Sequence, residues 1–105
     1  MRRKKAETIA ELAVSRVGFR KGLQVLSFIL AWQIAATDGG NEELREITLD
    51  DYCYWWKVSH STAYQKQRVF REAFPTETTP QKFCKHIART HEQLQQAKVP
   101  KWLTV

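Results

Sequence analysis

Thr48-Leu-Asp-Asp-Tyr-Cys-Tyr-Trp-Trp-Lys-Val-Ser-His-Ser-Thr-Ala-Tyr-Gln-Lys-Gln67 decides how this chain is read. Thr48 is an N-cap residue and predicts a short helix through Trp56. Ser59 is a second cap and predicts another helix, whose first turns are polar and basic. Val58 lies between them as the buried residue of a tight turn. Two helices meeting so closely need a small residue midway along the first, and Cys53 supplies it, with Tyr52 and Trp56 as its apolar neighbours. Ala63, Gln67, Phe70 and Phe74 follow at steps of four and three and predict the inward seam of the second helix. His60, Ser61, Tyr64, Gln65 and Arg68 are left on its outward side.

At these residues the stretch resembles the helix-turn-helix superfamily of bacterial and phage DNA-binding regulators. Val58-Ser-His-Ser-Thr-Ala-Tyr64 is similar to the Val-Ser-x-Ser-Thr-(Val or Ala)-Tyr run common in its members, and the resemblance spans residues 48–74. Two positions depart from the pattern. Lys57 stands where the turn usually has glycine, at a cost of about 1 kcal/mol if its φ is positive. Lys66 stands where an aliphatic anchor is common, which leaves Gln67 or Phe70 to seat the helix. The resemblance implies that the amide end of the second helix and the hydroxyls of Ser59 and Thr62 approach phosphates, with Lys57 and Lys66 adding charge. His60, Ser61, Tyr64, Gln65 and Arg68 would then read bases: Gln65 is suited to adenine, Arg68 to guanine, and Tyr64 to a thymine methyl. The plain alternative is a solvated surface, or, for Tyr64, packing onto its own core.

Outward from this stretch the periodicity remains helical. Ala6 to Val17 predicts a short amphipathic helix with Ile9, Leu12, Ala13 and Val17 on its apolar stripe, ended or bent by Gly18. Phe19 to Thr37 predicts the central helix, with Phe19, Leu23, Leu26, Leu30 and Ile34 on one face and Val25, Phe28, Ile29 and Trp32 around its sides. Asp38-Gly-Gly-Asn41 stops it, because these residues tolerate positive φ. Glu42 to Glu46 reads as a polar connection or one extra turn. Arg45 to Leu49 reads as an extended approach to Thr48, the alternative being one short strand. No pair of alternating strands follows, so a winged variant is disfavoured. Pro75 ends the second helix of the motif near Phe74. Thr79-Pro80 then opens a last helix, 79–98, in which Phe83, Ile87, Thr90, Leu94 and Ala97 keep helical spacing. The expected fold is one all-α domain over 1–105, of four or five helices containing the helix-turn-helix.

The chain carries 17 Lys and Arg against 11 Asp and Glu, a net charge of +6, and the pI of about 9.6 suits a polyanionic partner. The charge is segmented. Residues 1–22 hold seven basic and two acidic side chains, 38–51 hold six acidic and one basic, and 57–71 hold four basic and none acidic. Arg2, Arg3, Lys4 and Lys5 read as an arm along the phosphate backbone or in the minor groove, or as a solubilising terminus. Arg20 and Lys21 read as further phosphate contacts, although cations at a helix N-terminus need an anionic neighbour. Two cysteines and no secretory leader point to a reducing cytoplasm, the bacterial nucleoid if DNA is the partner. The apolar run Leu23 to Ala36 is interrupted by Gln24, Ser27 and Gln33 and too short to span a bilayer.

Other chemistries find little footing. Cys53, His60, Cys84, His86 and His91 lack the close Cys spacing of a structural zinc site. Gly39-Gly40 is an isolated turn, not a phosphate loop. Asp50 and Asp51 suit the first turn of a helix better than a catalytic pair. No enzyme, metal, cofactor or small-molecule ligand is expected. Among Trp32, Trp55, Trp56 and Trp102, Trp32 and one of the adjacent pair are expected in the core. The apolar tail 99–105 and the last helix are expected to join two copies, since one reading helix covers too few base pairs for high specificity. The expectation is a dimeric, sequence-specific transcriptional regulator of a phage or other mobile element acting on double-stranded DNA. The alternatives are an excision, replication or partition factor assembling on repeated sites, and a protein-interaction adaptor such as an antirepressor or a polymerase-binding factor.

Overall fold

Helix caps set the element boundaries in the computed structural model, which describes residues 8–84. Helix α1, Ile9–Val17, is opened by Thr8, whose side chain accepts from the Glu11 N–H while the Glu11 carboxylate accepts from the Thr8 N–H. This capping box moves the start of the helix from the expected Ala6 to Ile9. Gly18, at φ 92°, ends α1 and leads directly into α2, Phe19–Ala36. Helix α3, Leu49–Trp56, is opened by a second capping box between Thr48 and Asp51, and Ser59 caps α4, His60–Ala73, by accepting from the Thr62 N–H.

Among the described residues the fold is all-helical, with four α-helices, a 3-10 turn at Pro80–Phe83 and no strand. The approach to α3 contains neither strand nor helix from Arg45 to Thr48, which is extended, while Leu49 already belongs to α3; Arg45 N–H donates to the Ala36 carbonyl and Ile47 is buried. The last segment opens where expected, with Thr79 at the N-cap position and Pro80 first in the turn, but it differs in kind where it is described. Pro80–Phe83 is 3-10, and Thr79 makes no side-chain cap. Most of segment 79–98, the basic arm 1–5 and the tail 99–105 lie outside the described residues.

The core is centred on α2. Val25, Phe28, Ile29 and Trp32 are essentially without exposure, whereas Phe19 is 70% exposed, Leu23 47% and Leu30 45%. The expected face of α2 is therefore reversed. Both stripes have helical spacing, but only the one bearing Phe28 and Trp32 faces the rings of the later elements. Phe28 meets Trp32, Tyr52 and Phe70 edge-on at 5.9, 5.3 and 6.0 Å between centroids, and Tyr52 stacks on Trp32 at 5.6 Å. Fully burying a side chain such as Phe28 or Phe70 contributes about 1.5–3 kcal/mol.

Tyr52 also corrects the tryptophan assignment. It takes the core position beside Trp32, while Trp55 and Trp56 stay 36% and 38% exposed. The Trp56 indole N–H donates to the Ala31 carbonyl at 3.0 Å, pinning α3 to the flank of α2. Gly22 permits the contact of α1 with α2: a Cβ there would fall 2.8 Å from Val14 Cγ2 and 2.9 Å from Val14 Cα.

Candidate nucleic-acid interface

Lys57, Val58 and Ser59 join α3 to α4. Lys57 adopts the left-handed conformation, φ 56° and ψ 47°, a geometry that glycine takes up without strain and lysine does not. Val58 N–H donates to the Cys53 carbonyl, and its side chain packs against the core. Cys53 is buried under the turn, its sulfur 3.9 Å from the Ser59 carbonyl. Burial first, and the neighbouring Asp50 charge second, push the Cys53 thiol above its ordinary pKa. It serves as the small apolar residue that close approach requires.

Helix α4 is seated by Ala63, Phe70 and Ala73, all without exposure, and by Phe74 just beyond its end. Of the two alternatives for the missing aliphatic anchor, Phe70 is the one in the core. Gln67 is half-buried, and its amide donates to the Thr78 carbonyl. The side of α4 turned away from this seam bears Ser61, Tyr64, Gln65 and Arg68, each exposed. Two long-range contacts hold the far end in place. Arg16 donates to the Ala73 carbonyl at 2.8 Å and lies over the Phe74 ring, and Lys21 pairs with Glu72 at 2.9 Å. Glu72 is thus the anionic neighbour that a cation near the start of α2 needs, and Lys21 is engaged within the molecule.

The remaining expected residues are placed less simply. Ser59 Oγ accepts from the Thr62 N–H and donates to Thr62 Oγ1 at 3.1 Å, so the two hydroxyls satisfy the cap and each other. His60 Nε2 lies 2.5 Å from Asp50 Oδ1, and its ring is 6.3 Å from that of Tyr64. Asp50 sets a carboxylate beside the N-terminal end of α4, where the resemblance implies a phosphate, and the two anions would compete for that position. Thr62, Gln65 and Lys66 line a cleft of about 440 Å³ with Val69 of α4 and Leu23, Gln24 and Ser27 of α2. Lys57, Lys66, Arg68 and Arg71 are all exposed.

Three features escaped the sequence reading. The Asp50 to His60 pair forms because the turn folds the start of α4 back over the start of α3. The cleft is formed between α2 and α4, which lie far apart in the chain. Gln81 is a latch: its side-chain oxygen accepts from Trp32 Nε1 at 2.7 Å and from the Ile47 N–H at 3.3 Å, and its amide donates to the Arg45 carbonyl at 2.8 Å. Nothing local to any of these residues announces the partner.

Among the described residues no three of His, Cys, Asp and Glu come together as a metal site, and no helix is long and apolar enough to cross a membrane. Comparison with protein-family models, with curated proteins and with solved structures finds no match.

Proposed function

We propose that this protein is a sequence-specific DNA-binding regulator of a phage or other mobile element, and that α3, the turn and α4 form its helix-turn-helix. One observation carries this reading. Helix α4 is seated by Ala63, Phe70 and Ala73 and turns Ser61, Tyr64, Gln65 and Arg68 outward, with four cations and no acid between 57 and 71. A helix fixed by its back and polar on its front is the arrangement that enters a major groove. Arg68 and Gln65 are the residues of this face able to make bidentate base contacts. Lys57, Lys66 and Arg71 supply phosphate contacts, and His60, tied to Asp50, positions Tyr64 more than it reads a base. Two copies on a two-fold symmetric operator provide the specificity that one helix lacks.

Selection of bound sequences from a random duplex library at two salt concentrations tests this. A two-fold symmetric site is the expected result, whereas direct repeats would point to an excision, replication or partition factor. Arg68→Ala should then cost about 1–3 kcal/mol in binding and relax preference at one base pair per half-site. Parental affinity and selectivity in that variant, at matched stability, would remove Arg68 from the reading face.

A second reading is favoured by two specific observations. Residues 8–84 hold nine basic and nine acidic side chains, so the body itself is neutral. Tyr54 is 86% exposed next to the partly exposed Trp55 and Trp56. A neutral domain with an aromatic surface suits an adaptor that binds another protein, such as an antirepressor or polymerase-binding factor. Weak, salt-insensitive binding to every duplex, with no enriched sequence, would favour it.

A further inference from the structure

The face of α2 turned away from the core carries Phe19, Leu23, Leu26, Leu30 and Ile34. Phe19, Leu23 and Leu30 are the large apolar side chains that the four helices leave most open apart from Tyr54 and Tyr64. Leu26 and Ile34 are half-buried. Phe19, Leu23, Leu26 and Leu30 are separated by four, three and four residues, the spacing of a helix-pairing seam. We propose that this seam is where a second copy of the chain docks, α2 against α2 in antiparallel orientation about a two-fold axis near Leu26 and Ser27.

Three observations select a second copy. The seam is largely self-complementary under that symmetry: the pairs Phe19 with Ile34, and Leu23 with Leu30, have the same midpoint between residues 26 and 27, so these four side chains meet apolar partners, and Leu26 lies against Ser27 beside the axis. The ends of the helix are complementary in charge. The first turn of α2 bears Arg20 and no acid, and the helix runs out into Asp38, Glu42 and Glu43. An antiparallel pair sets each Arg20 toward the acidic, carbonyl-rich end of the other copy. The seam also extends over about 22 Å at 1.5 Å per residue, enough for a continuous helix contact. A helix pair alone buries less than the about 800 Å² per partner of a standard interface, so the dimer should be concentration-dependent.

The proposal deepens the two-fold DNA reading and rests on it only for the consequence that the cleft beside α4 lies next to the interface, since Leu23 belongs to both. Dimerisation itself is read without DNA. Light scattering on the size-fractionated full chain over a wide concentration range should show a monomer passing to a dimer. Leu30→Glu, outside the cleft, should remain monomeric with an unchanged helical circular dichroism spectrum and lose only binding that requires two half-sites. A parent monomeric at the highest attainable concentration overturns the proposal. So does a Leu30→Glu dimer, which would move the contact to another surface, the C-terminal segment first. If Leu30→Glu fails to fold, Ser27→Cys decides the matter. Cys53 and Cys84 are buried, so a short bis-maleimide, which spans the gap between packed helices, should link two chains through the new thiol near the axis, and absence of that link at concentrations where the chain scatters as a dimer refutes the antiparallel seam.

Discussion

Single residues at the turn and in the core make opposite demands on their side chains. Lys57 is a non-glycine residue held at positive φ in an exposed turn, so Lys57→Gly should raise the unfolding free energy by up to about 1 kcal/mol. The same change should weaken binding to all duplexes alike and flatten the salt dependence by about one unit of slope. Chemical denaturation and a salt titration on one preparation check both directions. Cys84 shows the other demand. Its sulfur, without exposure, lies between the Pro80 and Ile29 carbonyls at 3.3 and 3.7 Å, and burial pushes the thiol up to about 12. In the unfolded chain it ionises near its ordinary value of 9, so above that pH the unfolded state holds fewer protons than the folded one. Stability should therefore fall as pH rises from about 9 toward about 12, and Cys84→Ala should flatten that limb in melts recorded across the range.

Elements are joined here by small residues and by latches. Helix α1 approaches α2 at Gly22, where an added Cβ would meet Val14 backbone atoms as well as its side chain. Gly22→Ala should lower stability by about 1–3 kcal/mol, measured by thermal or denaturant unfolding. Val14→Ala should not restore it, because the Val14 Cα and N remain in the way. The ends of these elements were largely legible from their residues. Thr48, Ser59 and Gly18 act within a few residues of themselves, and Thr8 with Glu11 carries the same local signal although the periodicity alone suggested an earlier start. The 3-10 turn at Pro80–Phe83 was not legible. Gln81 there bonds to Trp32, Arg45 and Ile47, and these long-range bonds hold the segment in a shape its own proline and cap residue do not specify.

At the scale of the molecule, charge and burial are distributed separately. Residues 8–84 balance nine bases with nine acids, so the +6 of the chain comes from the segments on either side. If Arg2, Arg3, Lys4 and Lys5 follow the phosphate backbone, replacing all four by alanine should reduce the salt slope by as much as about 0.9 per charge and leave the selected sequence unchanged. Binding isotherms at several salt concentrations measure it, and an unaltered slope would assign the arm no DNA contact. The helical class, the two capped helices around Lys57-Val58-Ser59, and the polar front and apolar back of α4 were legible in the residues alone, because each follows from residues within one or two turns of one another. Three things depended on long-range packing: which stripe of α2 is buried, why Tyr52 and neither Trp55 nor Trp56 enters the core, and that His60 meets Asp50 beside the candidate reading face. The physical reason is common to all three. Helical spacing shows that a face is apolar, but which face is buried depends on the shapes brought against it, and here the rings of Phe28, Trp32, Tyr52 and Phe70 pack together and leave Phe19, Leu23 and Leu30 outside.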